Sequence, residues 1–125
     1  MTPTPPVVRV LLVEDNEVYR SSLELLLGLQ SGLAVVGAVG TGTEAAEAAE
    51  RLRADVVLMD YRLPGLDGAS ATREVIAASD AAVVCLTAEA NAQERDEILH
   101  AGARGLVEKG DAVEMLAAAI RSAAE

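Results

Sequence analysis

Short apolar runs rich in β-branched residues alternate five times with longer stretches of helical period, and this alternation leaves few folds open to the chain. The runs cover residues 8–13, 33–39, 55–59, 81–86 and 105–107, and the helical stretches 17–29, 42–53, 68–78, 92–101 and 112–124. Runs such as Val56-Val57-Leu58-Met59 and Val83-Val84-Cys85-Leu86 have no polar face. Strands of that kind belong inside a parallel sheet covered by helices on both sides. With right-handed crossovers the pattern predicts an α/β fold, a (βα)5 doubly wound three-layer sandwich. Asn16 and Asp111 are predicted to cap the first and last helices, and Gly32 and Gly102 to end the helical stretches before them. Val18, Leu25, Leu26 and Leu29 fall near one stripe, the predicted inward face of the first helix, as do Val113, Leu116 and Ile120 in the last.

The 125 residues suffice for one domain over residues 7–125, after a proline-rich stretch, residues 1–6, expected to be a disordered tail. Only 2% of the residues are aromatic, with no Phe or Trp, so the core is aliphatic and stacking platforms for bases are lacking. Ten basic residues against 20 acidic ones give a net charge of −10, which disfavours direct nucleic-acid binding. Cys85 is the only cysteine and His100 the only histidine, which excludes an intrachain disulfide and a Cys/His metal cluster. Cys85, in mid-strand, reads as a small buried hydrophobe, and His100 as a cation late in a helix. No stretch approaches the roughly 18 apolar residues of a membrane span, and the expected setting is cytoplasmic, without membrane contact.

In an open parallel sheet, ligands bind at the carboxyl ends of the strands, near the point where strand order reverses. The first run ends in Glu14-Asp15, the third in Asp60, the fourth in Thr87, and the fifth runs into Lys109. Singly, each has an ordinary reading as a cap, a turn residue or a surface charge. Together they put three carboxylates, a hydroxyl and an ammonium at one sheet edge. Three clustered carboxylates facing one lysine require either raised pKa values or a bound divalent cation, and an all-oxygen donor set suits Mg2+.

These residues resemble the receiver domain of two-component response regulators. The resemblance runs from Val8 to Ala124 and rests on Leu-Leu-Val-Glu14-Asp15, on Met-Asp60-Tyr-Arg-Leu-Pro64-Gly-Leu-Asp67-Gly68, on Cys85-Leu-Thr87-Ala88 and on Gly105-Leu-Val-Glu-Lys109. It implies a flavodoxin-like sheet of strand order 2-1-3-4-5. It implies that Asp60 accepts a phosphoryl group from a phosphohistidine on a sensor histidine kinase or phosphotransfer protein. Asp15, Asp60 and the backbone carbonyl of Arg62 would bind Mg2+, with Glu14 acting mainly through metal-bound water. Thr87 and Lys109 would each hold a phosphoryl oxygen, and the small Ala88 would leave room for the group to enter. Phosphorylation would alter the surface of the fourth helix, fifth strand and fifth helix. The domain itself would be a phosphoacceptor rather than an enzyme acting on other substrates.

Two positions depart from the family pattern. Leu106 stands where many members carry an aromatic that rotates inward as the Thr moves, and Gly110 where a proline, often cis, follows the lysine. The turn after Lys109 is therefore expected to be trans and more mobile. Arg62 and Glu89 flank the expected phosphoryl position, as steering charges or as solvated ones. Tyr61 is expected beneath the sheet and Tyr19 against the neighbours of the first helix. The motifs look closest to receivers that precede a helix-turn-helix DNA-binding domain, either as a single-domain regulator or as one part of a transcription factor. Homodimerisation through the last helix is open. Competing readings are an aspartyl-phosphate phosphatase, which usually wants an acid where Arg62 stands, and a degenerate receiver serving as a constitutive interaction module.

Overall fold

The computed structural model describes residues 7–89 and 91–125; the tail expected over residues 1–6 lies outside the described residues. The apolar runs form β1 (Val8–Val13), β2 (Leu33–Val39), β3 (Val56–Asp60), β4 (Ala82–Thr87) and β5 (Gly105–Glu108). The helices are α1 (Glu17–Gly28), α2 (Ala45–Arg51), α3 (Gly68–Ala78), α4 (Ala92–His100) and α5 (Val113–Ala123), with a 3-10 turn over Gly42–Glu44 leading into α2. All strand pairings are parallel, in the order β2-β1-β3-β4-β5. Strand order therefore reverses between β1 and β3, so a crevice opens above that pair.

Alternate residues of each strand feed two aliphatic layers. Val10, Leu12, Leu58 and Val84 pack with Leu23 and Leu27 of α1 and with Leu116 and Ile120 of α5. Leu11, Val13, Val57, Met59 and Val83 face the other way, against the alanines of α2, Val75 of α3 and Ile98 of α4. Of the residues in α4 only Glu94 and Ile98 are buried, so a single apolar side chain anchors that helix.

Three local expectations need correction. Leu23 and Leu27 are the buried leucines of α1, whereas Val18, Leu25 and Leu29 are 77%, 66% and 74% exposed, and Leu26 is exposed as well. The helix carries two leucine stripes, and residues two apart lie about 200° apart around it, so leucine content alone does not choose the face. The stripe that includes the half-buried Tyr19, at spacing i, i+4, i+8, faces the sheet. Asn16 does cap α1, accepting from the Tyr19 amide at 2.9 Å. Asp111 does not cap α5, whose N-cap is Ala112. Its carboxylate turns back to accept from the Glu108 amide at 2.9 Å, while its own amide donates to the Glu108 carbonyl, closing the turn around Lys109. Gly102 follows α4 at φ 104°, as expected of a helix stop, but Gly32 (φ 78°) lies four residues beyond the end of α1 and serves the turn into β2.

Gly68 sets the distance between α3 and the end of β3. A Cβ there would lie 2.6 Å from the Asp60 carbonyl oxygen, and the Gly68 amide donates to the Tyr61 carbonyl at 2.9 Å. The face assignment of α1 gives a direct test by urea denaturation. Leu27→Ala should cost about 2–4 kcal/mol and Leu25→Ala less than about 0.5 kcal/mol. Equal costs would refute the assignment.

Candidate functional site

Register carries the polar residues to one place. Val13 pairs with Met59, Asp60 with Leu86 and Thr87 with Glu108, so the residues that end β1, β3, β4 and β5 emerge side by side. The ladder continues one residue further, with the Tyr61 amide donating to Leu86 and the Lys109 amide to Thr87, both at 2.8 Å. Glu14, Asp15, Asp60, Thr87, Ala88 and Lys109 thus line one cleft of about 280 Å3, together with Asn16 and Arg62.

Glu14 and Asp60 are 1% and 3% exposed, and Asp15 lies at the open side. Lys109 Nζ donates to Glu14 Oε1 at 3.2 Å and to Asp60 Oδ2 at 3.3 Å. Glu14 Oε1 also accepts from the Asn16 amide at 3.2 Å, and Asp60 Oδ1 from the Arg62 amide at 3.3 Å. Glu14 Oε2 lies 3.1 Å from the ammonium, but no donor points at it, so this buried oxygen is paired in charge and not in direction. The α1 helix steadies the acidic loop as well, because Arg20 Nη1 donates to the Glu14 carbonyl at 2.7 Å.

One ammonium does not neutralise three carboxylates. Burial, a hydrogen bond with Glu14 and the Glu14 charge push the Asp60 carboxyl up to about 7, against the pull of Lys109 and the Arg62 amide. Partial burial lowers the lysine pKa, but the contacts with Glu14 and Asp60 outweigh it and hold the ammonium above its usual range. Glu14, Asp15 and Asp60 each present an oxygen within 4.8 Å of the others. Opposite oxygens of a six-coordinate magnesium lie about 4.2 Å apart, so the set fits one hard cation with water completing the shell, and the undirected Glu14 Oε2 gives an acceptor to spare.

The remaining candidates divide. Thr87 is buried at the cleft, while Glu89 is exposed. The Arg62 side chain reaches from the cleft to α4, where its Nη2 donates to Glu94 Oε1 at 3.1 Å. Tyr61 packs partly against the α2–α4 layer, but its hydroxyl reaches outward to Glu97 Oε2 at 2.5 Å instead of lying beneath the sheet. That bond, with burial, raises the phenol to about 12. Two consecutive residues after Asp60 are thus bridged to α4, and neither Glu94 nor Glu97 was marked by any motif. Leu106 is half-buried against the same layer. Cys85 is fully buried, its thiol pushed up to about 11 by burial, as a core residue should be. His100 is exposed, with Nδ1 3.1 Å from the Asp96 carbonyl. No peptide bond among the described residues is cis, which agrees with the trans turn expected at Gly110.

Among the described residues no helix is long and apolar enough to cross a membrane. Comparison with known proteins gives the same answer as the cleft. The response regulator GacA of Pseudomonas viridiflava is 36% identical over 115 residues, covering 91% of this chain and 54% of that protein. The chain therefore spans about half the length of the curated relatives it matches. The signal receiver domain of the putative response regulator NarL from Mycobacterium tuberculosis superposes with a TM-score of 0.90 at 29% identity, covering 96% of this chain and 98% of that one. The receiver domain of sensor histidine kinase PA1611 from Pseudomonas aeruginosa, solved with a magnesium ion in its active-site cleft, gives 0.82 at 36% identity over 94% and 98% of the two chains. Residues 10–121, which hold the strand-end carboxylates, the threonine and the lysine, match the response regulator receiver domain, and the chain belongs to that family.

Proposed function

We propose that Asp60 is the phosphoacceptor of this receiver domain and takes its phosphoryl group from a phosphohistidine on a sensor histidine kinase or phosphotransfer protein in the cytoplasm. The observation that carries the reading is the Lys109 ammonium, within hydrogen-bond reach of both Glu14 and Asp60 at the mouth of one strand-end cleft. An Asp60 oxygen attacks phosphorus, the phosphorus–nitrogen bond breaks, and its electron pair returns to the imidazole of the donor. A bound Mg2+ supplies positive charge that favours ionised Asp60 and offsets the phosphoryl oxygens. Asp15, Asp60 and the Arg62 carbonyl would hold that ion, with Glu14 acting through its water. Lys109 then neutralises a second phosphoryl oxygen, and Thr87 donates to a third.

The new charge pulls Thr87 and Lys109 toward the acyl phosphate, and the displaced loops alter the surface of α4, β5 and α5. The recipient of that change is an output domain of the same polypeptide or a separate partner. The chain acts as a signalling switch whose only chemistry is its own phosphorylation and slow hydrolysis.

Incubation with acetyl phosphate and Mg2+, followed by intact mass, should show a gain of one phosphoryl group that disappears in Asp60→Asn and without the metal. Failure to gain mass under these conditions would leave a constitutive interaction module, and turnover of many phosphate esters without an adduct would indicate a phosphatase.

The pKa of Asp60 yields a second test. Without a divalent cation, folded Asp60 keeps a proton between about pH 4, where the unfolded group ionises, and about pH 7. The folded chain binds more protons than the unfolded one across that window, so stability falls as pH rises through it. In EDTA the Tm should decline from about pH 5 to about pH 8. Asp60→Asn should flatten the decline, and Mg2+ should raise the Tm more at the upper end. A slope unchanged by Asp60→Asn would show that another group governs it.

A further inference from the structure

We propose that Tyr19 is a positioning residue that holds the Lys109 ammonium over Asp60. The ammonium lies 5.0 Å from the centre of the Tyr19 ring, inside the range of cation–π attraction. The Tyr19 hydroxyl donates to the backbone carbonyl of the same lysine at 3.4 Å. Tyr19 therefore grips Lys109 at both ends, though 90 positions separate them in the chain.

The grip has a firm base. Tyr19 continues the inward stripe of Leu23 and Leu27 on α1 and packs on the core layer beneath the cleft. Its amide is also the one fixed by the Asn16 cap. The lysine needs such support on this side. Its side chain is 29% exposed, its stem has four rotatable carbons, and it is followed by Gly110, where a Cβ would meet nothing within 4 Å. The ammonium thus has three neighbours, the carboxylates of Glu14 and Asp60 at 3.1 and 3.3 Å and the Tyr19 ring.

The chemistry of the ring suits a group that must change partners. In the phosphoacceptor reading, on which this inference rests, Lys109 lets go of the carboxylates to follow a phosphoryl oxygen. A third carboxylate on its outer side would compete with that oxygen. An aromatic face attracts the cation without a directional acceptor, so the ammonium can pivot without losing its support.

Lys109 is the only lysine in the sequence, so protein labelled with 13C-lysine gives a single ε-methylene signal. That signal should be shifted upfield by the ring in the parent and in Tyr19→Phe, and should return to the free-lysine position in Tyr19→Leu. Phosphorylation by acetyl phosphate with Mg2+ should slow about three- to ten-fold in Tyr19→Leu, with Tyr19→Phe restoring most of the rate. In a Lys109→Met background, Tyr19→Leu should cost nothing further, whereas a merely structural loss would slow both backgrounds alike. An unshifted signal in the parent, equal losses in the Leu and Phe variants, or equal losses in both backgrounds would overturn the proposal. If the parent acquires no phosphoryl group, the phosphoacceptor reading fails, while the ε-methylene signal still decides whether the ring holds the lysine.

Discussion

An under-neutralised ion cluster governs this molecule. Lys109 faces the buried carboxylates of Glu14 and Asp60, with Asp15 at the rim, so one ammonium meets three carboxylates. Burying a charge without full compensation is costly, and here part of the cost appears as the raised pKa of Asp60. The cleft is thus incomplete by design of its charges. A divalent cation would relieve the repulsion among the carboxylates, and under the proposed function a transferred phosphoryl group would give Lys109 a further anionic partner.

The aliphatic sandwich makes that cluster tolerable. The parallel pairings of β1, β3 and β4 run in unbroken register, Val13 opposite Met59 and Asp60 opposite Leu86, and the close-packed aliphatic layers hold that register in place. Asp60 and Thr87 are the last residues of their strands and inherit that precision, and Glu14 follows the last residue of β1. Lys109 gains it through the hydrogen bond its amide donates to the Thr87 carbonyl and through the reciprocal Glu108–Asp111 turn behind it. The hydrophobic layers thus supply the rigidity, and the loops at the sheet edge supply the chemistry.

The strands and the five cleft residues were legible in the sequence for the same reason. Short apolar runs rich in β-branched residues, alternating with helical stretches, mark central strands, and the polar residue that ends each is then placed by topology. What stayed hidden depended on helix rotation or on partners distant along the chain. Leu25 and Leu27 are equally apolar, and only docking against Val10 and Leu12 decides which is buried. Asp111 has the chemistry of a cap, but a closer donor at Glu108 claims it. Tyr61–Glu97 and Arg62–Glu94 join residues more than 30 positions apart, and no periodicity within either segment announces them.

Those two bridges bear on the lightly anchored fourth helix. Ile98 alone supplies about 1.5–3 kcal/mol of apolar adhesion for α4, far less than the leucine-rich face of α1 can muster. Carboxylates of α4 add two ties to the residues next to Asp60, each exposed to solvent at one or both ends and worth less than about 1 kcal/mol. The helix is moored beside the carboxylate cleft. Held by one buried apolar side chain and two weak polar ties, it can shift its berth at little cost to the rest of the fold.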